Sequence, residues 1–267
     1  MLPRLAQFGN FFLPTYGLLA ALGLILGLLI TVRLGRRSGV DLDQMWNLGI
    51  VAVLAGIIGS KVLLIINDWD TYGQHPREIF RLSTLQAGGV FSGGLLLSIV
   101  CCYFYAVRHN MPKLKTADSF APGIALGHAI GRLGCFAAGC CYGKPTNLPW
   151  GVTFTNPLTN QLVGTPLNVR LHPTQIYEFL AEGVIFFLLI WLFRRKSFDG
   201  QIAALYMFLY GIARYFLEFL RDDPERGSMF GGVMTVTQFI AILLVVGGGV
   251  MWIACNNYHS RTATVTA

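Results

Sequence analysis

Lys61, Arg132, Glu178, Arg214 and Glu218 stand inside or at the ends of long apolar stretches of this sequence, where ionised side chains are rare. A charge at the middle of a membrane helix costs ~2.5–3.5 kcal/mol on insertion scales, so each such residue marks a place where chemistry is worth seeking. Arg214 and Glu218 are four residues apart and share one face of a helix. Lys61, Arg132 and Arg214 belong to three different apolar segments, with too few carboxylates beside them to neutralise three cations. Cations converging at one depth suit a phosphate, and in a membrane the abundant phosphate is a lipid headgroup. The plainer alternative is a structural Arg214–Glu218 ion pair and an Arg132 that reaches for the surface.

The run Gly127–Gly143 is the most unusual in the chain. His128 and Arg132 are one helical turn apart, and a histidine beside an arginine tends to stay neutral, with a lone pair free to take a proton. A core histidine with a satisfied hydrogen bond is the competing reading. Cys135, Cys140 and Cys141 follow closely. A disulfide between two of them suits an oxidising compartment, although the adjacent Cys140 and Cys141 are too strained to bridge each other. His128 with Cys135, Cys140 and Cys141 is a conceivable metal set, but the spacing does not match a structural zinc site, and neither a metal nor an organic cofactor is expected. Cys101, Cys102 and Cys255 fall in apolar segments, where they act as small apolar residues. The run Gly88-Gly89-Val90-Phe91-Ser92-Gly93-Gly94-Leu95 either brings backbone N–H groups close to an anionic headgroup or packs helices through small residues.

The elements that must position these groups are membrane helices. Of 267 residues, 54% are hydrophobic and only 12% charged, and mean hydropathy is +0.57. A soluble domain carries roughly 25% charge. The net charge of +7 suits basic loops beside anionic lipid, and nucleic acid is not an expected partner. About 20 apolar residues cross a bilayer, which predicts an all-α, polytopic membrane protein with seven spans, near 14–32, 46–66, 90–107, 118–138, 173–193, 201–220 and 233–254. Arg33, Arg36, Arg37, Arg108, Lys113, Lys115, Arg194, Arg195 and Lys196 occupy alternate loops. By the positive-inside rule those loops are cytoplasmic, the amino terminus is outside, and the carboxyl terminus with Arg261 is inside. The remaining loops hold Asp68, Asp70, Glu78, Asp222, Asp223 and Glu225. Segments 67–89 and 139–172 then form a small periplasmic cap on a single integral membrane domain, 1–267. No removable signal peptide is expected.

Gly131-Arg132-Leu133-Gly134, followed by Phe136, Gly139 and Gly143, resembles the motif of bacterial prolipoprotein diacylglyceryl transferases. So do Tyr16-Gly17, Gly93-Gly94-Leu95, His172-Pro173-Thr174-Gln175-Ile176-Tyr177-Glu178, and Tyr210-Gly211 with Arg214, Glu218, Phe219 and Arg221. The resemblance implies a seven-helix enzyme of the bacterial inner membrane. Such an enzyme moves the diacylglyceryl group of phosphatidylglycerol to the thiol of a prolipoprotein lipobox cysteine, forming a thioether and releasing glycerol phosphate. It implies catalytic roles for Arg132, Arg214 and Tyr16, to which the residue reading adds His128. Substrate contacts are expected from Lys61, Ser92, Gly93, Gly94, Gly143, His172, Tyr177, Glu178 and Glu218. The sequence departs from the family at Ser92, where many members carry histidine, at Cys135 in place of asparagine, and at Cys140 in place of glutamate. A lipid-binding or transport protein using the same phosphate pocket is the alternative.

The basic loops make a direct prediction. A reporter active only outside the cytoplasm, fused after Ala267, stays silent; activity there would invert the orientation.

Overall fold

The computed structural model describes residues 2–8, 11–81, 84, 89–222, 227–229 and 232–266. Gly88, Asp223 and Glu225, named above, lie outside them. Long helices account for most of the chain: α1 (Thr15–Arg37), α2 (Leu42–Asn67), α4 (Phe91–Arg108), α5 (Lys113–Ala138), α7 (Thr174–Phe193), α8 (Gln201–Glu218) and α9 (Val236–Thr266). Two short helices, α3 (Trp69–Gln74) and α6 (Pro157–Val163), and a 3-10 turn at Pro76–Phe80 lie in the connecting segments. Each expected span thus has a helix. Five of them, α1, α2, α4, α7 and α9, are long and apolar enough to cross a membrane. The charged and polar residues of α5 and α8, among them Asp118, Arg132, Arg214 and Glu218, lower their hydropathy. Large apolar side chains such as Phe91, Leu96, Val184, Phe187, Val246 and Ile253 are exposed, the pattern of a polytopic helical membrane protein.

The all-α architecture holds, and among the described residues it is joined by three short antiparallel strand pairs, β1–β2 (Arg4–Phe8 with Phe11–Pro14), β3–β4 (Val152–Thr153 with Arg170–Leu171) and β5–β6 (Ser228–Met229 with Met234–Thr235). Strands this short leave no alternating apolar pattern for a sequence reading to find.

The chain forms two compact units, Gly35–Thr116 on one hand and Met1–Leu34 with Ala117–Ala267 on the other. In the first, Asp41 caps α2 by accepting from the Gln44 N–H at 2.9 Å. Helices α2 and α4 approach until glycine is required at the contact. A Cβ on Gly93 would lie 2.4 Å from the Gly59 carbonyl oxygen, and one on Gly94 2.7 Å from that of Gly56. Of the two readings of the Gly88–Leu95 run, packing is the one realised at Gly93 and Gly94. Their N–H groups donate to the Val90 carbonyl at 3.1 and 3.4 Å. Ser92 is exposed in the first turn of α4, and the Lys61 Nζ donates to the Thr84 carbonyl at 2.7 Å.

The second unit repeats the device. A Cβ on Gly27 of α1 would lie 2.5 Å from the Gly123 oxygen of α5, and one on Gly123 2.5 Å from the Gly27 oxygen. Gly23 and Gly127 meet one turn away. This small-xxx-small seam gives dispersion contact without a hydrophobic driving force, which lipid does not supply. Around it Leu34, Ala121, Ala125, Ile185, Leu189, Phe193 and Ile202 form the buried core.

One end of that core is closed by Asp118. Its carboxylate, wholly buried, accepts from the backbone N–H groups of Gly200, Ile202 and Ala203 at 2.9–3.0 Å and pairs with Lys196 at 2.8 Å. Burial works against the Lys196 ammonium, but its bonds to Asp118 and Asp199 outweigh it and its pKa is raised. A side chain of α5 thereby caps α8. Removing one member of a buried pair typically costs about 3–5 kcal/mol. Asp118→Ala should therefore lower the unfolding temperature of the detergent-solubilised protein strongly, and Asp118→Asn, which keeps an acceptor oxygen, less.

Candidate functional site

Helix α7 carries the site on a reversed amphipathic face. Thr174, Gln175, Glu178 and Glu182 are buried, continuing into Ile185, Leu189 and Phe193, while Leu180, Val184, Phe187 and Trp191 are exposed. In water such a helix would turn inside out; against lipid the polar stripe must face protein.

The polar residues that open α7 each have a partner. The Thr174 hydroxyl donates to the Cys141 carbonyl at 2.7 Å, and the Gln175 Nε2 to the Cys140 carbonyl at 2.6 Å. The Tyr177 hydroxyl accepts from Trp150 Nε1 at 2.8 Å and lies 3.3 Å from His172 Nδ1. Gly143 donates its N–H to the His172 carbonyl at 2.9 Å, and Lys144 donates to that of Leu220 at 2.8 Å. A Cβ on Gly143 would lie 2.5 Å from the Leu220 oxygen, so only glycine fits this crossing. His172, Tyr177 and Gly143 fasten the 139–172 loop to the ends of α7 and α8.

The same anchoring turns Glu178, 2% exposed, into a group of cations. Its carboxylate lies 2.9 Å from Arg132 Nη2 and 3.8 Å from Arg221 Nη1. The Arg132 Nε donates to His128 Nε2 at 3.1 Å, and His128 Nδ1 lies 2.7 Å from a Glu182 oxygen. An Nε2 that accepts from a guanidinium places the imidazole proton on Nδ1, where it is donated to Glu182. His128 is oriented by a carboxylate and packed edge-on against Tyr210 at 5.5 Å. Arg214 is 5% exposed and pairs through Nη2 with Glu218 at 2.5 Å. Glu218 also accepts from the Thr235 hydroxyl at 3.2 Å. Thr235 and Gln238 form a reciprocal capping box at the start of α9, which fixes that hydroxyl. The Arg214 Nη1 is buried with no hydrogen-bond partner among the described residues. A buried cationic donor left open is costly, and it matches a site whose acceptor arrives with a ligand.

The loop supplies the outer wall. Arg221 forms an isolated bridge with Gly143. Burial works against its charge, but Cys141 and Glu178 outweigh it and raise its pKa. Hydrogen bonds from Cys135 and Cys140 push the Cys141 thiol well below the usual thiol range, against burial, and Arg221 and Arg132 act in the same direction. The Tyr16 ring packs on Gly134, where a Cβ would lie 3.2 Å from its Cδ2. That glycine holds the start of α1 beside the turn of α5 that carries Arg132.

One expectation changes. The arginines are not short of carboxylates, because Glu178, Glu182 and Glu218 are all buried among them. Gly93 and Gly94 make close helix contacts in the structure. Lys61, Ser92, Gly93 and Gly94 all belong to the other compact unit. Glu182 is the residue missed: it stands one turn beyond Glu178 inside an apolar run, and the rule that marks intramembrane charges applies to it equally. Arg221 enters the sequence reading only within a motif, because it lies beyond the last turn of its helix.

The chain matches the family described as prolipoprotein diacylglyceryl transferase over residues 3–254. A phosphatidylglycerol–prolipoprotein diacylglyceryl transferase of Clostridium tetani is 38% identical over 87% of this chain and 89% of its own length. One of Finegoldia magna is 36% identical over 89% of both. One of Synechococcus elongatus is 30% identical over 94% of this chain and 87% of its own length.

The ion cluster makes its own prediction. Glu178→Ala leaves Arg132 and Arg221 buried without their shared counter-ion and should cost about 3–5 kcal/mol of stability, read as a lower unfolding temperature. Glu182→Gln should cost much less, since the amide oxygen still accepts from His128 Nδ1. Equal losses in the two variants would show that Glu178 is not the centre of the cluster.

Proposed function

The chain belongs to the prolipoprotein diacylglyceryl transferase family, and from that premise we propose that it transfers the diacylglyceryl group of phosphatidylglycerol to the lipobox cysteine thiol of prolipoproteins in a bacterial inner membrane. The observation that carries the reading to particular residues is the buried, unpartnered Nη1 of Arg214 in a cluster that also holds Arg132 and Arg221. A non-enzymatic lipid carrier is not favoured, since the relatives above are all named as transferases. The basic loops support seven crossings, an outer amino terminus, a cytoplasmic carboxyl terminus and a periplasmic cap from segments 67–89 and 139–172.

The reaction is a displacement at the terminal glycerol carbon that bears the phosphate. The acceptor sulfur forms a C–S bond as the C–O bond breaks, and the electron pair leaves with glycerol phosphate. Arg214 and Arg132 hold the phosphate and stabilise the charge that develops on it. Glu218, fixed by Thr235, sets the direction of Arg214. Tyr16 reaches the headgroup from the start of α1. His128 Nε2 takes the thiol proton once Arg132 turns from it to the phosphate, and Glu182 stabilises the imidazolium that results. Serine at position 92 cannot accept a proton at neutral pH unaided, so the His128–Glu182 pair is the base in this chain.

Mass spectrometry of the purified protein with phosphatidylglycerol and a lipobox peptide tests the reading. A thioether product supports it, and lipid binding without turnover overturns it. Arg132→Ala and Arg214→Ala abolish transfer, and Arg→Lys rescues poorly, because lysine cannot make a two-pronged phosphate contact. His128→Ala slows transfer by about 10²–10⁴-fold at neutral pH. Raising the pH toward the thiol pKa recovers part of the rate, since the thiolate then forms unaided. An unchanged rate in His128→Ala removes it as the base.

A further inference from the structure

Cys135, Cys140 and Cys141 bring their sulfurs within 4.8 Å of one another. No step above uses them. Their convergence is imposed by the backbone around them. Gly139, at φ +84°, and Cys141, at φ +61°, reverse the chain at the end of α5. Gln175 and Thr174 hold the carbonyls of Cys140 and Cys141, and the Thr165 hydroxyl donates to that of Gly139 at 2.9 Å. A left-handed backbone at a residue other than glycine carries strain. Here three surrounding side chains maintain it.

We propose that these three thiols are a zinc site with an open fourth position, and that this position receives the acceptor thiol. The second part rests on the transferase reading. Tetrahedral zinc, with Zn–S bonds of about 2.3 Å, holds sulfurs about 3.8 Å apart, so side-chain movement of about 1 Å closes the cluster on an ion. Zinc with three thiolates keeps net negative charge. Arg132, whose Nη1 lies 3.9 Å from the Cys135 sulfur, and Arg221, whose charge interacts with Cys141, offset it. A disulfide is neutral, joins only two of the three sulfurs and gives those guanidinium groups nothing to balance. Three protein ligands and one vacant corner is the arrangement of zinc sites that bind a reacting group. A thiol that enters the corner gives up its proton to His128 Nε2, the base named above, and stays bound as thiolate, with no change of oxidation state. It is then held beside Arg132 as the nucleophile for the glycerol carbon.

Cobalt(II) titration of the purified, reduced protein in detergent tests the site without reference to turnover. The expected result is one equivalent bound per chain, with intense thiolate-to-cobalt charge-transfer and tetrahedral ligand-field bands, displaced by zinc and lost in Cys135→Ser and Cys140→Ser. Should those variants fold poorly, zinc added to the wild-type protein must still raise its unfolding temperature. Absence of the bands in wild-type protein with all three thiols alkylatable overturns the site, as does a disulfide among them in non-reduced peptide mass spectra. A lipobox peptide containing cysteine should shift the bands, and its serine counterpart should not. No shift with the cysteine peptide overturns the thiol-binding role. Failure of the transferase reading would appear elsewhere, as no thioether product from protein whose cobalt bands are intact.

Discussion

The buried carboxylate of Glu178 is the interaction on which the arrangement of this protein's charged centre depends. Three arginines, three glutamates and a histidine are enclosed within apolar helices, and none could stay there alone. Glu178 touches Arg132 of α5 and Arg221 beyond α8 from its own place on α7. A single carboxylate thus ties three parts of the chain together at the level where catalysis is proposed. The remaining pairs branch from it. Arg132 leads to His128 and Glu182, while Arg214 leads to Glu218 and the cap of α9.

Holding that carboxylate in place is the work of the loop and the helix seams. The Thr174 and Gln175 side chains clamp the loop to the start of α7, and the Gly143 crossing clamps it to the end of α8. The glycine seam between α1 and α5 and the Asp118 cap on α8 position the two helices that carry His128, Arg132, Arg214 and Glu218. Polar residues at the motif of α7 therefore act mainly through the protein's own backbone. Their effect is to fix where the helices that carry the arginines stand.

The near balance of charge in the cluster also bears on how a lipid phosphate is received. A bare trio of arginines would repel itself and cost far more to bury. With Glu178 and Glu218 present, each guanidinium is partly satisfied, and the open Arg214 Nη1 is what distinguishes a receiving site from a closed ion-pair network. In the proposed reaction Arg132 would bind an incoming anion by exchanging partners, which would couple headgroup binding to release of the His128 lone pair.

The sequence by itself determined the class of molecule, the run of long helices and most of the residues of the site. Hydropathy over some twenty residues, basic loops and isolated charges in apolar runs are local properties, and they remain legible whatever the fold. The motif containing Arg132, and that ending in Glu178, were visible for the same reason. Only the tertiary structure decided partners. That Glu178 meets Arg132 and Arg221, that Glu182 orients His128, and that Gly93 and Gly94 face Gly59 and Gly56 depend on which helix lies against which, over separations of tens of residues. The short strand pairs among the described residues were illegible because strands of two to five residues carry too little pattern. The meeting of Cys135, Cys140 and Cys141 follows from backbone angles that their neighbours impose, and spacing along the chain does not encode those angles.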